Sequence, residues 1–363
     1  MSPEDIRPRR HPAPAEAATI GEIIAHARAV LPPERWDYAS GGAGDEAALR
    51  RNRHALEAIG LVPRVLVDVS ERRTATTFAG LPLAAPVMVA PIGGISLLHP
   101  DGAVGVARAA NVTGTSAWIS TTASPDLATV MRAAEVPLGF QLYVNGTRAD
   151  AEALVRRALD LGYAAVCLTV DTNVSARRER DLRNGFRPGE RRTPNTAAPG
   201  PVGMRDALSW DLLGWLRELT DGVPLVLKGV LDARDAVLAV DAGVDAIIVS
   251  NHGGRQLAAA PSPIEVLPDI VDAVGGRLQI GMDGGITSGM DALRALALGA
   301  DAVLVGKLAC WALAAGGGAV LARALTLLME ELRGGMGLLG VTTAEGARHA
   351  RVVTGPTGGS APW

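Results

Sequence analysis

The sequence predicts a closed (β/α)8 barrel, and three observations carry that prediction. From residue 86 onward, eight short apolar runs recur, each leading into a helical pattern. The runs are continuous rather than alternating, as parallel strands buried on both faces require. Polar and glycine residues gather at their C-terminal ends, where such barrels place reactive groups.

The runs lie at 86–90, 116–120, 138–144, 165–171, 224–228, 246–250, 278–282 and 302–306. Apolar residues at helical spacing predict helices over 103–110, 126–134, 148–161, 232–242, 288–298 and 308–332. Thr147, Asp232 and either Thr287 or Ser288 stand as N-caps, because their short side chains accept from free first-turn amides. Gly162, Gly243 and Gly299 follow helices, where a left-handed residue ends the last turn. A doubly wound open sheet is the alternative, since it alternates strand and helix in the same way.

Two regions fall outside the repeat. Residues 19–60 hold a helical pattern over 20–31, a glycine-bearing stretch over 36–46 and a second helix ending at 59; they read as an N-terminal helical cap. Residues 172–208 form an Arg-, Pro- and Gly-rich loop after the fourth strand, of a length that suits an active-site loop or lid. The expected organisation is thus a tail over 1–18, the cap, a barrel over 61–345 and a C-terminal tail over 346–363.

Hydrophobic residues make up 48% of the 363 and charged residues 20%, enough to build a large core and to exclude global disorder. A net charge of -3 leaves no basic footprint, so nucleic acid is not an expected partner. Cys167 and Cys310 sit in apolar runs and read as buried thiols of a reducing compartment, with no disulfide framework and no metal site. Residues 1–18 lack the charged-then-apolar profile of a signal peptide. The apolar stretches are interrupted by Gly, Asp, Arg or Pro, so none is expected to span a bilayer. The expectation is a cytoplasmic protein. Of the 35 basic residues all but Lys228 and Lys307 are arginine, and both lysines stand at predicted strand ends. A compact ammonium fits tight sites that refuse a guanidinium.

Collecting the strand ends brings together Ser120, Gln141, Tyr143, Thr169, Asp171, Lys228, Ser250, His252, Arg255, Asp283, Gly306 and Lys307. The densest segment is Ser250-Asn251-His252-Gly253-Gly254-Arg255-Gln256-Leu257. A histidine beside an arginine, exposed by two glycines, suits a substrate whose carboxylate neighbours an acidic proton. Arginine grips the carboxylate with a bidentate fork, and neutral imidazole takes the proton. Asp171 is placed to hold the imidazolium that forms.

That segment resembles the signature of the FMN-dependent 2-hydroxy-acid oxidases and dehydrogenases, the family of glycolate, lactate and mandelate enzymes. The resemblance covers residues 20–340 and includes Asp37-Tyr38, Ala90-Pro91, Phe140-Gln141-Leu142-Tyr143, Leu168-Thr169-Val170-Asp171-Thr172, Arg177-Arg178-Glu179, Leu227-Lys228-Gly229-Val230 and Asp283-Gly284-Gly285, all in family order. It implies that His252 is the base, paired with Asp171. Arg255 and Arg178 would bind the substrate carboxylate, and Tyr38 and Tyr143 would hydrogen-bond the substrate. For FMN it implies Ser120, Gln141, Thr169 and Ser250 near the ring, with Pro91, Ile92 and Gly93 beside it and Lys228 at its pyrimidine end. Asp283 would meet the ribityl chain, and Gly284, Gly285, Gly306 and Lys307 the phosphate. A homotetramer is the implied assembly, with a small (S)-2-hydroxy acid oxidised to the 2-oxo acid. A 2-amino acid or a specialised biosynthetic intermediate at the same site, and a barrel that has lost its cofactor and only binds, are the alternatives.

The chain departs from its relatives where many carry phosphate-binding arginines: Thr287, Ser288 and Lys307 stand there instead. Weaker FMN retention is the expected consequence, unless another arginine reaches in. Thr122 replaces a large aromatic, which favours a different or bulkier substrate.

Overall fold

The computed structural model describes residues 13–186, 194–195 and 207–355. Much of the expected 172–208 loop and the outer parts of both expected tails therefore lie outside the described residues. Three helices come first: α1 (Ile20–Val30), α2 (Pro33–Ser40) and α3 (Ala47–Glu57). The Thr19 hydroxyl accepts from Glu22 N while the Glu22 carboxylate accepts from Thr19 N, a capping box that sets where α1 begins. Strand β1 (Ile59–Val62) and a hairpin of β2 (Thr76–Phe78) and β3 (Leu81–Leu83) follow.

The barrel strands are β4 (Val87–Val89), β5 (Trp118–Ser120), β6 (Gly139–Leu142), β7 (Ala165–Thr169), β8 (Leu225–Val230), β9 (Ala246–Val249), β10 (Gln279–Met282) and β11 (Ala302–Val305). They pair in parallel in the order β4-β11-β10-β9-β8-β7-β6-β5. The ring closes where Val89 bridges Ala117 and Val89 N donates to Ser116 O at 3.2 Å. An open doubly wound sheet would leave those two edges unpaired. The alternative is thereby excluded.

Both faces of the strands are buried, which explains their continuous apolar composition. Met88, Trp118, Cys167, Val226, Ile248 and Leu304 point inward and form one cluster. Their neighbours Val87, Val89, Ile119, Leu168, Ile247 and Val305 point outward and pack under the helices. Small inward residues compensate for large ones: a Cβ on Gly139 would lie 2.3 Å from the Trp118 ring. The β2–β3 hairpin plugs the N-terminal end of the barrel, with Phe78 and Leu81 fully buried and Gln279 bonded to Ala79 N and Thr77 O. The opposite end is left for the site.

The surrounding helices are α4 (Gly102–Thr113), α5 (Leu127–Ala133), α6 (Arg148–Asp160), α7 (Glu179–Arg183), α8 (Asp211–Leu219), α9 (Ala233–Asp241), α10 (Pro263–Val274), α11 (Gly289–Ala297) and α12 (Lys307–Leu339). Thr147, Asp232 and Ser288 cap α6, α9 and α11, and Gly162, Gly243 and Gly299 take positive φ after them. Sequence patterning does not reveal α8 or α10. In α10 the interior Pro268 reads as a stop, yet Pro263 opens the helix and Ile264, Leu267 and Ile270 bury against the barrel.

Two expectations are corrected. Part of the expected C-terminal tail is strand β12 (Arg351–Thr354), which pairs antiparallel with β1 and ties the end of the chain to the N-terminal segment. By length and composition α12 is apolar enough to cross a bilayer. It is instead broken by non-helical backbone at Gly316 and Gly317, and it packs on α1, α4 and α11 as a core helix. Cys167 and Cys310 are free and buried, as expected.

Candidate active site

The loop after β9 carries the histidine in a backbone conformation that side chains seldom adopt. His252 has φ 57, and Gly253 and Gly254 follow at φ 64 and 75. The Ser250 hydroxyl accepts from His252 N at 3.0 Å, and Asn251 Oδ1 accepts from Gly254 N at 3.0 Å. His252 Nδ1 lies 3.0 and 3.2 Å from the two Asp171 oxygens. Its Nε2, 3.5 Å from the Tyr143 hydroxyl, is thus the nitrogen left for a ligand.

Asp171 can approach so closely because of Gly229, where β8 bulges between Lys228 and Val230. A Cβ on Gly229, at φ 110, would lie 2.6 Å from the Asp171 Cβ. Burial raises the Asp171 pKa, but the His252 imidazole, its hydrogen bond and Lys228 outweigh that and hold the carboxyl below its ordinary value. Burial and the Asp171 carboxylate push the Tyr143 hydroxyl up, so it stays protonated and available as a donor.

Two guanidiniums line the same cavity as this imidazole. Arg255 donates from Nη1 to Tyr38 O at 2.6 Å and Gly41 O at 3.0 Å, and lies 5.1 Å over the Tyr38 ring. Arg178 precedes α7, and its buried Nε has no hydrogen-bond partner among the described residues. Burial and the nearby Arg255 lower its pKa, outweighing the opposing effect of Tyr38, Asp181 and Tyr143. The charged run 177–183 is less solvated than its composition suggests. Arg180 pairs with Glu46 at 2.5 Å and with Asp37 at 3.5 Å, while Gly44 N donates to Arg177 O at 2.8 Å. The N-terminal segment thereby anchors the element that carries Arg178.

One cavity of about 840 Å3 joins these groups. Tyr38, Tyr143, Arg178, His252 and Arg255 line it, and Asp171 stands behind His252. Pro91, Ile92 and Gly93 form a wall after β4. Lys228, Asp283, Gly284, Gly285, Gly306 and Lys307 line the side fed by β8, β10 and β11. Ser120, Gln141, Thr169 and Ser250 lie buried at the strand ends rather than on the cavity surface.

The residues present fit a flavin mononucleotide. Gln141 Nε2 and Oε1, Thr169 Oγ1 and Asp283 Oδ1 are buried without hydrogen-bond partners among the described residues, a cost that a polar ring and its side chain would relieve. Lys228 Nζ bonds Ser250 Oγ at 2.7 Å and pairs with Asp283 at 2.8 Å. Burial lowers the Lys228 pKa, but Asp283 and Asp171 more than reverse this, so it remains a cation. Gly284 and Gly285, both at φ 93, line the cavity with backbone that no side chain screens, as a phosphate cradle requires.

The phosphate end differs from the pattern implied by the resemblance. Thr287 turns to α11, donating from N and Oγ1 to Asp291 Oδ2 at 3.0 and 3.2 Å. Arg53, unmarked by any sequence signal, reaches the cavity from α3 and donates to Gly285 O at 2.6 Å and Asp291 at 2.7 Å. Lys307 donates to Gly253 O at 2.9 Å. Its ammonium keeps access to the cavity, yet enclosure by protein, helped by Arg255 and Arg178 and opposed by Cys310 and Asp283, pushes its pKa down to about 7.

If Lys307 meets the FMN phosphate, as the resemblance implies, a neutral Lys307 must first take up a proton, and FMN affinity of the apoprotein is expected to fall as pH rises above about 7. The loss is at most about tenfold per pH unit. Lys307→Arg, always charged, flattens the dependence. Quenching of FMN fluorescence across this range measures it, and a pH-independent wild-type Kd rules it out.

Comparison with known proteins agrees with this geometry. The family model described as FMN-dependent dehydrogenase matches residues 27–354. An L-lactate oxidase of Nostoc sp. is 43% identical over 84% of this chain and 89% of its own. A 4-hydroxymandelate oxidase of Amycolatopsis orientalis is 41% identical over 93% of this chain and 98% of its own. The crystal structure of a mandelate oxidase with (S)-2-phenylpropionate superposes with a TM-score of 0.88 at 42% identity, covering 93% of this chain and 99% of that one. Motif, barrel and cavity converge, and the chain belongs to the FMN-dependent dehydrogenase family, that of the FMN-dependent 2-hydroxy-acid oxidases and dehydrogenases.

Proposed function

We propose that the protein oxidises an (S)-2-hydroxy acid to the 2-oxo acid, with His252 as the base. The observation that carries this is the His252–Asp171 pair, whose Nε2 faces the Tyr143 hydroxyl at 3.5 Å in a cavity shared with two guanidiniums. Arg178 and Arg255 hold the substrate carboxylate and orient the α-carbon. Tyr143 and Tyr38 hydrogen-bond the substrate oxygens. His252 Nε2 takes the hydroxyl proton, and Asp171 stabilises the resulting imidazolium through Nδ1–H. When bound, FMN supplies the two-electron acceptor for the α-hydrogen and its electron pair. Oxygen or another acceptor then reoxidises the flavin.

Thr122 and Gly93 meet on the cavity wall, where a Cβ on Gly93 would lie 2.4 Å from Thr122 Oγ1. Two small residues there support a substrate with a bulky substituent on the α-carbon. Anaerobic titration of the FMN-loaded protein with 2-hydroxy acids of increasing size tests the reading. An aryl or branched acid is expected to bleach the flavin band with kcat/KM roughly tenfold or more above that of glycolate. Admission of air then identifies the acceptor: a band that returns assigns oxygen, and one that stays bleached assigns another acceptor. A flavin that no 2-hydroxy acid reduces sinks the proposal, and one reduced only by 2-amino acids replaces it.

A further inference from the structure

His252 holds a left-handed backbone that persists only where its surroundings over-determine it. Much of that constraint comes from the N-terminal segment. Asn251 and Asn52 form a reciprocal amide pair: Asn52 Nδ2 donates to Asn251 Oδ1 at 2.9 Å, and Asn251 Nδ2 donates to Asn52 Oδ1 at 2.7 Å. Both residues are buried, at 0% and 4% exposure. Asn251 spends its remaining capacity inside its own loop, accepting from Gly254 N and donating to Pro261 O at 3.0 Å. All four of its side-chain bonds thus fix the residue next to the base. The same helix presses on the loop directly, since a Cβ on Gly254 would lie 2.6 Å from Leu49 N. It also lies beneath the expected phosphate cradle, where a Cβ on Gly284 would meet both amides at 3.3 Å.

We infer that Asn52 is a positioning residue for the reaction: through its amide pair with Asn251, α3 holds His252 against Asp171 in the geometry proton removal requires. The inference rests on the proposed role of His252 as base. Loss of the pair leaves two buried amide groups of Asn251 unmatched and frees the loop to shift, and small misplacements of a base cost large factors in rate.

The pair's chemistry gives a diagnostic variant. A neutral carboxylic acid presents one acceptor and one O–H donor, as the amide does here, whereas a carboxylate cannot donate to Asn251 Oδ1. Asn52→Asp should therefore recover activity as pH falls and its buried carboxyl protonates.

Stopped-flow reduction of FMN-loaded protein at saturating 2-hydroxy acid tests this. Asn52→Ala is expected to slow reduction about 10- to 100-fold, with substrate Kd changed less than about threefold because Arg255 keeps its bonds to Tyr38 O and Gly41 O and the segment carrying Arg178 keeps those of Arg177 and Arg180. Ile23→Ala, which hollows α1 away from the loop, lowers the melting temperature without slowing reduction. For Asn52→Asp, the variant-to-wild-type ratio of rates rises as pH is lowered. That ratio remains informative even where Asn52→Ala does not fold. A flat ratio, or reduction in Asn52→Ala that falls no further than in Ile23→Ala, overturns the inference. If His252→Asn also reduces normally, the proposed base fails first; if only His252→Asn is slow, the positioning role alone fails.

Discussion

Replacing His252 by asparagine is expected to slow flavin reduction by a 2-hydroxy acid about 10²- to 10⁴-fold while leaving FMN bound. Asparagine tolerates the left-handed backbone at φ 57, so the loop is kept and only the proposed base is removed. Arg178, Arg255 and the tyrosines remain, so substrate still binds and the loss falls on the chemical step rather than on KM. Asp171→Asn should lose most of the same factor, because the amide no longer holds the imidazolium that Nδ1–H presents to it at 3.0 Å. Anaerobic stopped-flow absorbance reads the rate, and the retained flavin spectrum reads the cofactor. Reduction at the wild-type rate in His252→Asn would assign proton removal to another group.

The second large effect is on the fold itself. Lys228 and Asp283 are 2% and 5% exposed and 2.8 Å apart. Lys228→Met strands the Asp283 carboxylate, whose Oδ1 already lacks a partner among the described residues. Removing one member of a buried pair costs about 3–5 kcal/mol, so the variant should melt lower and bind FMN poorly. Lys228→Arg should fare little better, since a planar fork does not fit the space of a compact ammonium. The Lys228→Met, Asp283→Leu double variant should regain stability, because no uncompensated charge remains, but not FMN binding. The sign with pH follows from the raised pKa of Lys228: the contribution is fully present below the unfolded lysine value near 10 and is lost only above it. Thermal melting of the apoprotein between pH 6 and about 9 should therefore show a constant deficit. An unaltered melting temperature in Lys228→Met would show that the pair carries no net stability.

The eight parallel strands are legible in the chain because strands buried on both faces need continuous apolar runs. Such runs at 165–171 and 246–250 have no other economical reading. The loop 250–257 is legible because base, arginine and two glycines lie within eight consecutive residues. Helix α10 is hidden, since Pro268 marks a stop in any local pattern while packing of Ile264, Leu267 and Ile270 sustains the helix around it. Arg180 is hidden in a charged run whose partners Asp37 and Glu46 lie more than a hundred residues away in the chain.

Composition and periodicity are local properties, and they suffice for strand order along the chain, the helices with plain caps and the residues at strand ends. Contacts between distant segments are not local. Closure of the ring at Val89 and Ala117 and the pairing of β12 with β1 each depend on which surfaces meet after folding. The same holds for Arg53 at Gly285 and for Asn52 against Asn251, partners 199 residues apart. Side chains of these types satisfy many partners equally well in isolation. Only burial beside one particular partner, where an unmet hydrogen bond is costly, makes the choice.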